Sequence, residues 1–227
     1  MKIPNNRFLN FHAHQQFPSE EEIVIQSLFL QEDRIPENRD TIFFTSGLHP
    51  WHADLLNLIE IENRLQKLID EKKIIAVGET GLDKIRGADW KTQIEVFKGH
   101  IQIAEKNNLP IIIHSVKSHN EVLKLKIDFN SKVPWVIHNF SGSEQIAADL
   151  IHHGFYLSLC HHIQNRNSRI SEYFNTLPLD KIFVETDDFN VDIKGLYHTA
   201  AIKFRISLEE LKKQIAFNFE SVFNRNG

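Results

Sequence analysis

Eight short runs of apolar, β-favouring residues recur along the chain, and amphipathic stretches separate most of them. Alternation of such runs with helical patterns is typical of βα units that build a parallel sheet. The predicted strands are Arg7–His12, Ile23–Leu30, Thr41–Gly47, Lys73–Gly78, Pro110–His114, Val133–His138, Phe155–Leu159 and Lys181–Thr186. The pattern therefore predicts an α/β protein with eight parallel strands.

Helical spacing of apolar residues is clearest in three of the other segments. Apolar residues recur at three- and four-residue steps from Leu55 to Ile69 and from Trp90 to Ala104. Near the end of the chain, Ser207 and Glu210 have the form of a capping box, and a further apolar series runs from Leu208 to Val222. We expect this last helix to close the barrel.

The segment between Leu30 and Thr41, QEDRIPENRD, is charged, contains a proline and has too few apolar residues to bury a helix face. One outer helix is therefore predicted to be missing after the second strand. The expected fold class is α/β, a slightly trimmed (β/α)8 TIM barrel, and residues 1–227 are expected to form a single domain.

Composition and charge restrict the kind of site that the chain can carry. The formal net charge of −4 argues against a broad basic surface for nucleic acid, although metals could bind phosphate locally. Cys160 is the single cysteine, so any metal must be held by imidazole and carboxylate groups. We find no signal peptide and no apolar run of the ~18 residues that a membrane helix needs, and we expect a cytoplasmic protein without membrane contact.

Polar, metal-competent side chains stand at or just after six of the eight predicted strand ends. In a parallel barrel, all the carboxyl ends of the strands lie on one face, where active sites are found. The residues concerned are His12, His14, His49, Glu79, His114, His138 and Asp187. Their convergence indicates a metal site, whereas a single one of them would most often be a structural residue with its own hydrogen-bond partner.

Several of these side chains, taken one at a time, could be structural residues instead of metal ligands. His12 and His14 alternate along a strand end, so both imidazoles point the same way. Glu79 lies between glycines and can bridge two cations, but it could instead cap the next helix. His114 and His138 each end an apolar strand and could be structural, although together they suit a second metal better.

Asp187 is the natural general base, because a carboxylate that coordinates one ion can also take a proton from a metal-bound water. Glu185 and Asp188 flank it as rivals. Glu185 has the parity of Asp187 along the strand, whereas Asp188 points the other way and more plausibly supports the loop.

Six segments in this order closely resemble the TatD family of metal-dependent hydrolases, within the amidohydrolase-like barrels. They are NFHAH, SGLHPWHA, AVGETGLD, QIEVFKGHIQIAEKNNLPIIIHS, VIHNFSGS and FVETDD, and with the C-terminal helices the resemblance covers nearly the whole chain. The combination is highly specific, although one segment alone would be weak.

The resemblance implies a binuclear metal site and metal-dependent phosphodiester hydrolysis, often of DNA. Glu79 would bridge the two ions. By motif, His12, His14 and Asp187 would complete the shell of one ion, and His114 and His138 that of the other. His49 would contact the substrate.

Three positions depart from the family pattern. Asn10 replaces the usual Asp two residues before His12, and Asp188 and Phe189 follow Asp187 where a small residue and Pro are usual. Val116 replaces an Arg often found after the fifth strand, which leaves Lys117 as the nearest cation. These changes concern substrate choice more than the metal ligands.

Two divalent cations are expected, and the histidine-rich ligand set favours Zn²⁺ or Mn²⁺ over Mg²⁺. Such a pair would activate a hydroxide and neutralise the charge that develops in an attack on phosphorus. Lys84 and Arg86, just after the AVGETGLD segment, are candidates for binding a neighbouring phosphate, although both could be ordinary solvated surface charges.

Two other functions fit the same residues. The metal pair could polarise a carbonyl, which would make the protein an ester or amide hydrolase such as a deacylase or lactonase. Alternatively, the chain could be a metal-binding relative that has lost catalysis. Asn10 favours this last alternative. The presence of all six candidate ligands counts against it; they are His12, His14, Glu79, His114, His138 and Asp187.

Overall fold

The computed structural model of the chain describes residues 1–14, 18–32, 36 and 40–224. The strands are β1 (Phe8–Ala13), β2 (Glu22–Phe29), β3 (Ile42–Gly47), β4 (Ala76–Asp83), β5 (Ile111–Val116), β6 (Trp135–Ile137), β7 (Phe155–Leu159) and β8 (Ile182–Val184). The α-helices are α1 (Leu58–Asp70), α2 (Trp90–Asn107), α3 (His119–Asp128), α4 (Glu144–His152), α5 (Arg169–Tyr173), α6 (Ile193–Phe204) and α7 (Leu208–Phe223).

All eight predicted strands are present, and their order in the sheet follows the chain from β1 to β8. The pairs resolved within the sheet are parallel. The predicted fold class, an α/β protein of the (β/α)8 type, is therefore confirmed. The predicted absence of a helix between Leu30 and Thr41 concerns a segment in which residues 33–35 and 37–39 lie outside the described residues.

The chain divides into two compact units. The terminal unit comprises Met1–Gln26 and the chain from His138 onward, and the central unit comprises Ser27–Ile137. The expectation of a single domain over the whole chain stays a prediction.

In the terminal unit, β1 pairs with the start of β2, from Phe8 opposite Glu22 to Ala13 opposite Gln26. Strand β7 pairs with β8, and beyond β8 the backbone of Asp187 forms a parallel bridge with Ala13. Every residue of β1 is buried, so the polar side chains of Asn10 and His12 have no access to bulk water.

In the central unit, β4 pairs with both β3 and β5, and β5 pairs with β6. Strand β4 is longer than the sequence predicts, because it continues past Glu79 to Asp83. Glycine makes this possible: Gly81 has a φ of 143°, and a Cβ there would lie 2.1 Å from the carbonyl oxygen of His114. Close packing of β4 on β5 therefore requires glycine at that position.

The predicted helices are present, and their caps explain where two of them begin. Asn57 and Glu60 form a capping box that starts α1 at Leu58, so the exposed Leu55 precedes the helix although it fits the helical spacing. Ser207 and Glu210 form the predicted capping box of α7. Among the described residues, no helix has the length and apolar character needed to cross a membrane.

Candidate metal centre

The terminal unit brings three of the predicted ligands together, and we call His12, His14 and Asp187 the terminal cluster. The Nε2 atoms of His12 and His14 are 3.3 Å apart. The Oδ1 atom of Asp187 lies 3.9 Å from the first of these nitrogens and 3.6 Å from the second. All three donor atoms therefore face a common point.

Backbone contacts place Asp187 in this cluster. Its N–H donates to the carbonyl oxygen of His12 at 2.9 Å, and its φ of 56° is in the left-handed region. The amide of Asn139 donates to the Oδ2 atom of Asp187 at 3.0 Å, which leaves Oδ1 on the side of the imidazoles. The Asp187 carboxylate is thus oriented by a turn and by a neutral amide.

Asn10 holds the segment that leads to Asp187. Its Oδ1 atom accepts the backbone N–H of Thr186 at 3.0 Å, and its amide nitrogen donates to the Thr186 hydroxyl at 2.7 Å. The departure from the family pattern at position 10 therefore lies in a tight contact between β1 and the strand end that carries a candidate ligand.

His138 follows β6 and lies beside the terminal cluster, with its ring centroid 4.3 Å from that of His12. Its Nδ1 atom is 3.3 Å from Oε1 of Glu185, which also accepts the Asn139 N–H at 2.7 Å. Glu185 is fully buried. Within the described part of the chain, its other oxygen makes no hydrogen bond. Glu185 is therefore placed to orient His138.

The central unit brings together His49, Glu79 and His114, which we call the central cluster. The Oε1 atom of Glu79 lies 2.9 Å from Nδ1 of His114 and 3.1 Å from Nε2 of His49. The other nitrogen of His49 accepts the backbone N–H of Trp51 at 3.2 Å. Sequence analysis predicted a substrate contact for His49, and the structure places it against Glu79.

Asp83 is a further candidate site residue of the central unit that sequence analysis did not single out. Its Oδ2 atom lies 3.2 Å from Nε2 of His114 and accepts the Trp51 indole N–H at 2.7 Å. A signal was present, because Glu79 and Asp83 are four residues apart on one strand and so share a face. Asp83 is placed to orient His114.

The Asp83 carboxyl is nearly inaccessible to solvent and remains charged. Burial raises the pKa of this carboxyl, but hydrogen bonds outweigh burial and hold the pKa well below its ordinary value. The donors are His114, Trp51, Ile85 and Arg86.

His100 of α2 supports the turn that carries His49. Its Nε2 atom accepts the Leu48 N–H at 3.0 Å, and its Nδ1 N–H donates to the Val96 carbonyl oxygen at 2.8 Å. Burial lowers the pKa of His100 to about 4, so the ring is neutral at physiological pH. This histidine is structural.

The contacts of His114 are those expected of a metal ligand. A neutral imidazole carries one N–H and cannot donate to two carboxylates at once, yet both nitrogens of His114 face a carboxylate oxygen. An added proton or a cation must lie on one side. The pairing of Asp83 with a ligating imidazole is the arrangement that commonly fixes the ring of a metal-bound histidine.

The donor spacing also fits divalent ions. Zinc lies about 2.0–2.2 Å from nitrogen and oxygen ligands, so two donors of one shell are about 3–3.5 Å apart. Four of the five donor–donor distances described above for the two clusters are close to this value, and the fifth, between His12 and Asp187, is 3.9 Å. Each cluster can therefore hold one ion through imidazole and carboxylate donors.

The predicted phosphate-binding residues differ in their surroundings. Lys84 forms an ion pair with Glu121 of α3, so its ammonium group is already engaged. The Arg86 guanidinium lies 3.8 Å from the centroid of the Trp51 ring and is exposed. Lys117 is exposed just after β5. Their roles toward a substrate stay predictions.

The structure bears on two further sequence interpretations. The alternative that Glu79 caps the following helix is wrong, because Asp89 caps α2 and Glu79 lies inside β4. Asp188, one of the rivals for the general base, is exposed.

Comparison with known proteins identifies the family. The model of TatD-related DNases matches residues 27–224. The chain belongs to the TatD family. An uncharacterised metal-dependent hydrolase of Buchnera aphidicola is 34% identical over 169 residues, which cover 71% of this chain and 64% of that protein. The chain thus spans slightly less than two thirds of this relative.

Two other similar proteins inform the function and the fold. The 3′-5′ ssDNA/RNA exonuclease TatD of Cronobacter sakazakii is 31% identical over 147 residues, covering 63% of this chain and 56% of that protein. The crystal structure of the TatD homologue YjjV of Escherichia coli covers 98% of this chain and 100% of that chain, with a TM-score of 0.82 and 22% identity. This second likeness supports the fold.

Proposed function

We propose that this TatD-family chain hydrolyses phosphodiester bonds in single-stranded nucleic acid. The observation that carries the proposal is the pair of donor clusters, each of which has the spacing and ligand chemistry for one divalent ion. Enzymes that cleave phosphodiester bonds commonly use two metal ions.

The proposed cofactor is therefore two divalent cations per chain. His12, His14 and Asp187 would hold one, and Glu79 and His114 of the central cluster would contribute to holding the other, with Zn²⁺ or Mn²⁺ favoured over Mg²⁺ by the number of imidazoles. When bound, the cations supply a nucleophile that is active near neutral pH and offset negative charge on the phosphoryl group.

The chain's own residues have separate roles in this proposal. Asp187 accepts a proton from the attacking water, and the Asn139 amide holds its carboxylate in orientation through Oδ2. Asp83 and Glu185 hold the imidazoles of His114 and His138 in orientation. His49 keeps Glu79 directed into the central cluster.

Nucleic acid is the proposed substrate because of the relative from Cronobacter sakazakii, which is named a 3′-5′ ssDNA/RNA exonuclease. The net charge of −4 fits a substrate that is gripped locally at the cluster rather than along a broad basic face. Arg86 is the favoured phosphate contact, since Trp51 orients its guanidinium. Lys117 is a second candidate, whereas Lys84 is engaged by Glu121.

The test combines metal analysis with a substrate panel. Purified protein would be analysed for Zn and Mn, then assayed with single-stranded DNA, single-stranded RNA, duplex DNA, and a set of ester, lactone and amide substrates. We expect about two ions per chain and cleavage of the single-stranded nucleic acids. The isosteric variant Glu79→Gln, prepared in the same way, should be inactive and so exclude a contaminating nuclease.

Each other result contradicts the proposal in a defined way. Hydrolysis of esters or amides with intact nucleic acid would favour the deacylase or lactonase alternative. Bound metal without any hydrolysis would favour a non-catalytic metal-binding relative. Absence of bound metal under metal-replete conditions would remove the basis of the proposal.

A further inference from the structure

Three aromatic rings pack against one another at tilted angles: His161 and His162 follow β7, and Phe189 lies two residues after Asp187, beyond β8. The ring of His161 lies 4.0 Å from that of His162 and 3.9 Å from that of Phe189, measured between centroids. The interplanar angles are 38° and 45°. We call His162, His161 and Phe189 the ring stack.

Phe189 is the outer member of this stack in the terminal unit. It keeps 38% of its surface exposed although His161 covers part of its ring. Single exposed apolar residues are common and need no explanation. What distinguishes Phe189 is that a second ring already fixes its orientation.

The ring stack is tied to a candidate metal ligand through one turn. The N–H of Phe189 donates to the Thr186 carbonyl oxygen at 3.1 Å, and the N–H of Val191 donates to the Phe189 carbonyl oxygen at 2.9 Å. Asp187 lies inside the turn and is itself bonded to β1. The backbone of Phe189 is therefore fixed relative to Asp187, and contact with the His161 ring orients the Phe189 side chain.

The Phe189 side chain offers a phosphate neither a positive charge nor a hydrogen-bond donor. A planar, apolar ring face is better suited to contact with another planar group. Aromatic side chains bind the faces of nucleobases in this way, largely without regard to base identity.

We propose that Phe189, backed by His161, is a stacking surface for a nucleobase of the single-stranded substrate. The inference rests on the proposed nuclease function and adds a specificity-determining subsite to it. A base held on Phe189 would help to position the adjoining phosphodiester bond near the terminal cluster.

The test compares a base-bearing oligonucleotide with one of equal length and sequence in which the bases nearest the scissile bond are replaced by abasic sites. Steady-state KM and kcat would be measured for both with the metal-loaded protein. In parallel, 2-aminopurine in the oligonucleotide would report stacking by loss of fluorescence, with a chelator present so that no cleavage occurs.

Phe189→Leu keeps an apolar side chain but removes the aromatic face. We expect the KM for the base-bearing substrate to rise about tenfold, with little change in kcat and no change in the KM for the abasic substrate. Fluorescence quenching should be lost as well. Phe189→Trp should keep both the quenching and the preference for bases.

Phe217→Leu is the matched control, because Phe217 of α7 is 62% exposed and belongs to the same unit. It should change none of these quantities. Equal effects of Phe189→Leu on both oligonucleotides, or unchanged quenching in that variant, would overturn the inference while leaving the nuclease proposal intact. If the wild-type protein cleaves neither oligonucleotide but hydrolyses esters or amides, the proposed function is wrong. The base-binding role of Phe189 is then wrong as well.

Discussion

The terminal and central clusters use the same kinds of ligand atom but differ in the groups that orient them. In the central unit, the carboxylate of Asp83 contacts His114 directly. In the terminal unit, the segment of Asp187 is held by the amide side chains of Asn10 and Asn139. The group that contacts His114 thus carries a negative charge, whereas the two described side chains that hold the Asp187 segment are neutral.

This difference bears on metal affinity as well as on geometry. An amide fixes the position of a ligand without changing its charge environment, whereas a carboxylate that accepts an imidazole N–H makes the ring a better donor. We therefore expect the central cluster to bind its ion more tightly than the terminal cluster does. The following predictions test that comparison, beginning with the largest expected effect.

Replacement of Glu79 by Ala should reduce hydrolysis by more than about 100-fold, since even residues that only support a metal ligand are typically worth 10–100-fold. The bridging role implied by the family resemblance predicts that both ions are lost. The contacts of the central cluster alone predict the loss of one. The metal content of the purified variant distinguishes the loss of both ions from the loss of one. Retention of both ions would contradict both expectations.

Acid should weaken the central unit through His100, because burial lowers the pKa of this histidine from 6.5 to about 4 in the folded protein. A histidine with a depressed folded pKa binds a proton in the unfolded state first, so its contribution to stability is complete above about pH 6.5 and is lost as the pH falls toward 4. The loss expected from His100 is about 3 kcal/mol of unfolding free energy.

Urea unfolding of the metal-free protein at several pH values between about 7 and 4 measures this loss. His119 also has a pKa lowered to about 4 by burial, so the wild-type protein should show a steeper loss than His100 alone produces. The variant His100→Gln isolates the contribution of His100 and should have a shallower pH dependence. An unchanged pH dependence in the variant would show that His100 does not remain neutral in the folded protein.

Asp83→Asn removes the negative charge behind His114, and its single oxygen can replace one of the two acceptor oxygens that bind the Trp51 indole N–H and the N–H groups of Ile85 and Arg86. We expect metal affinity at the central cluster to fall by 10–100-fold, with little change at the terminal cluster. Titration with Zn²⁺ in the presence of a competing chelator measures both affinities. A uniform decrease at both ions would indicate a change in folding rather than in the orientation of His114.

The sequence predicts the positions of strands and helices well because their signals are local. Apolar runs, helical spacing and the capping box of Ser207 and Glu210 each depend on residues close together in the chain. The extent of β4 is less predictable, because it depends on how Gly81 allows the backbone to approach His114 on the neighbouring strand.

The candidate ligands could also be predicted, because parallel strands bring their carboxyl ends to the same face. The orienting groups could not be assigned so readily. Whether the second nitrogen of His114 faces Asp83 depends on the tertiary packing of a side chain 31 residues away. The role of Asn10 similarly depends on Thr186, which is 176 residues distant along the chain.

Asn10→Asp makes the reciprocal change in the terminal cluster and should have the smallest effect. A carboxylate at this position can still accept the Thr186 N–H, and the Thr186 hydroxyl can donate to its other oxygen, so the contact that holds the strand end is kept. The added negative charge should tighten the ion held by His12, His14 and Asp187 by up to about tenfold, at the lower end of the range for orienting carboxylates.

The same chelator-competed titration, performed at one pH on Asn10→Asp, Asp83→Asn and the wild-type protein, tests both halves of the comparison. Opposite shifts at the two clusters would show that charge in the orienting group sets affinity. Equal or weaker binding in Asn10→Asp would mean that the amide serves only to hold Thr186. The departure from the family pattern at position 10 would then have no consequence for the metal.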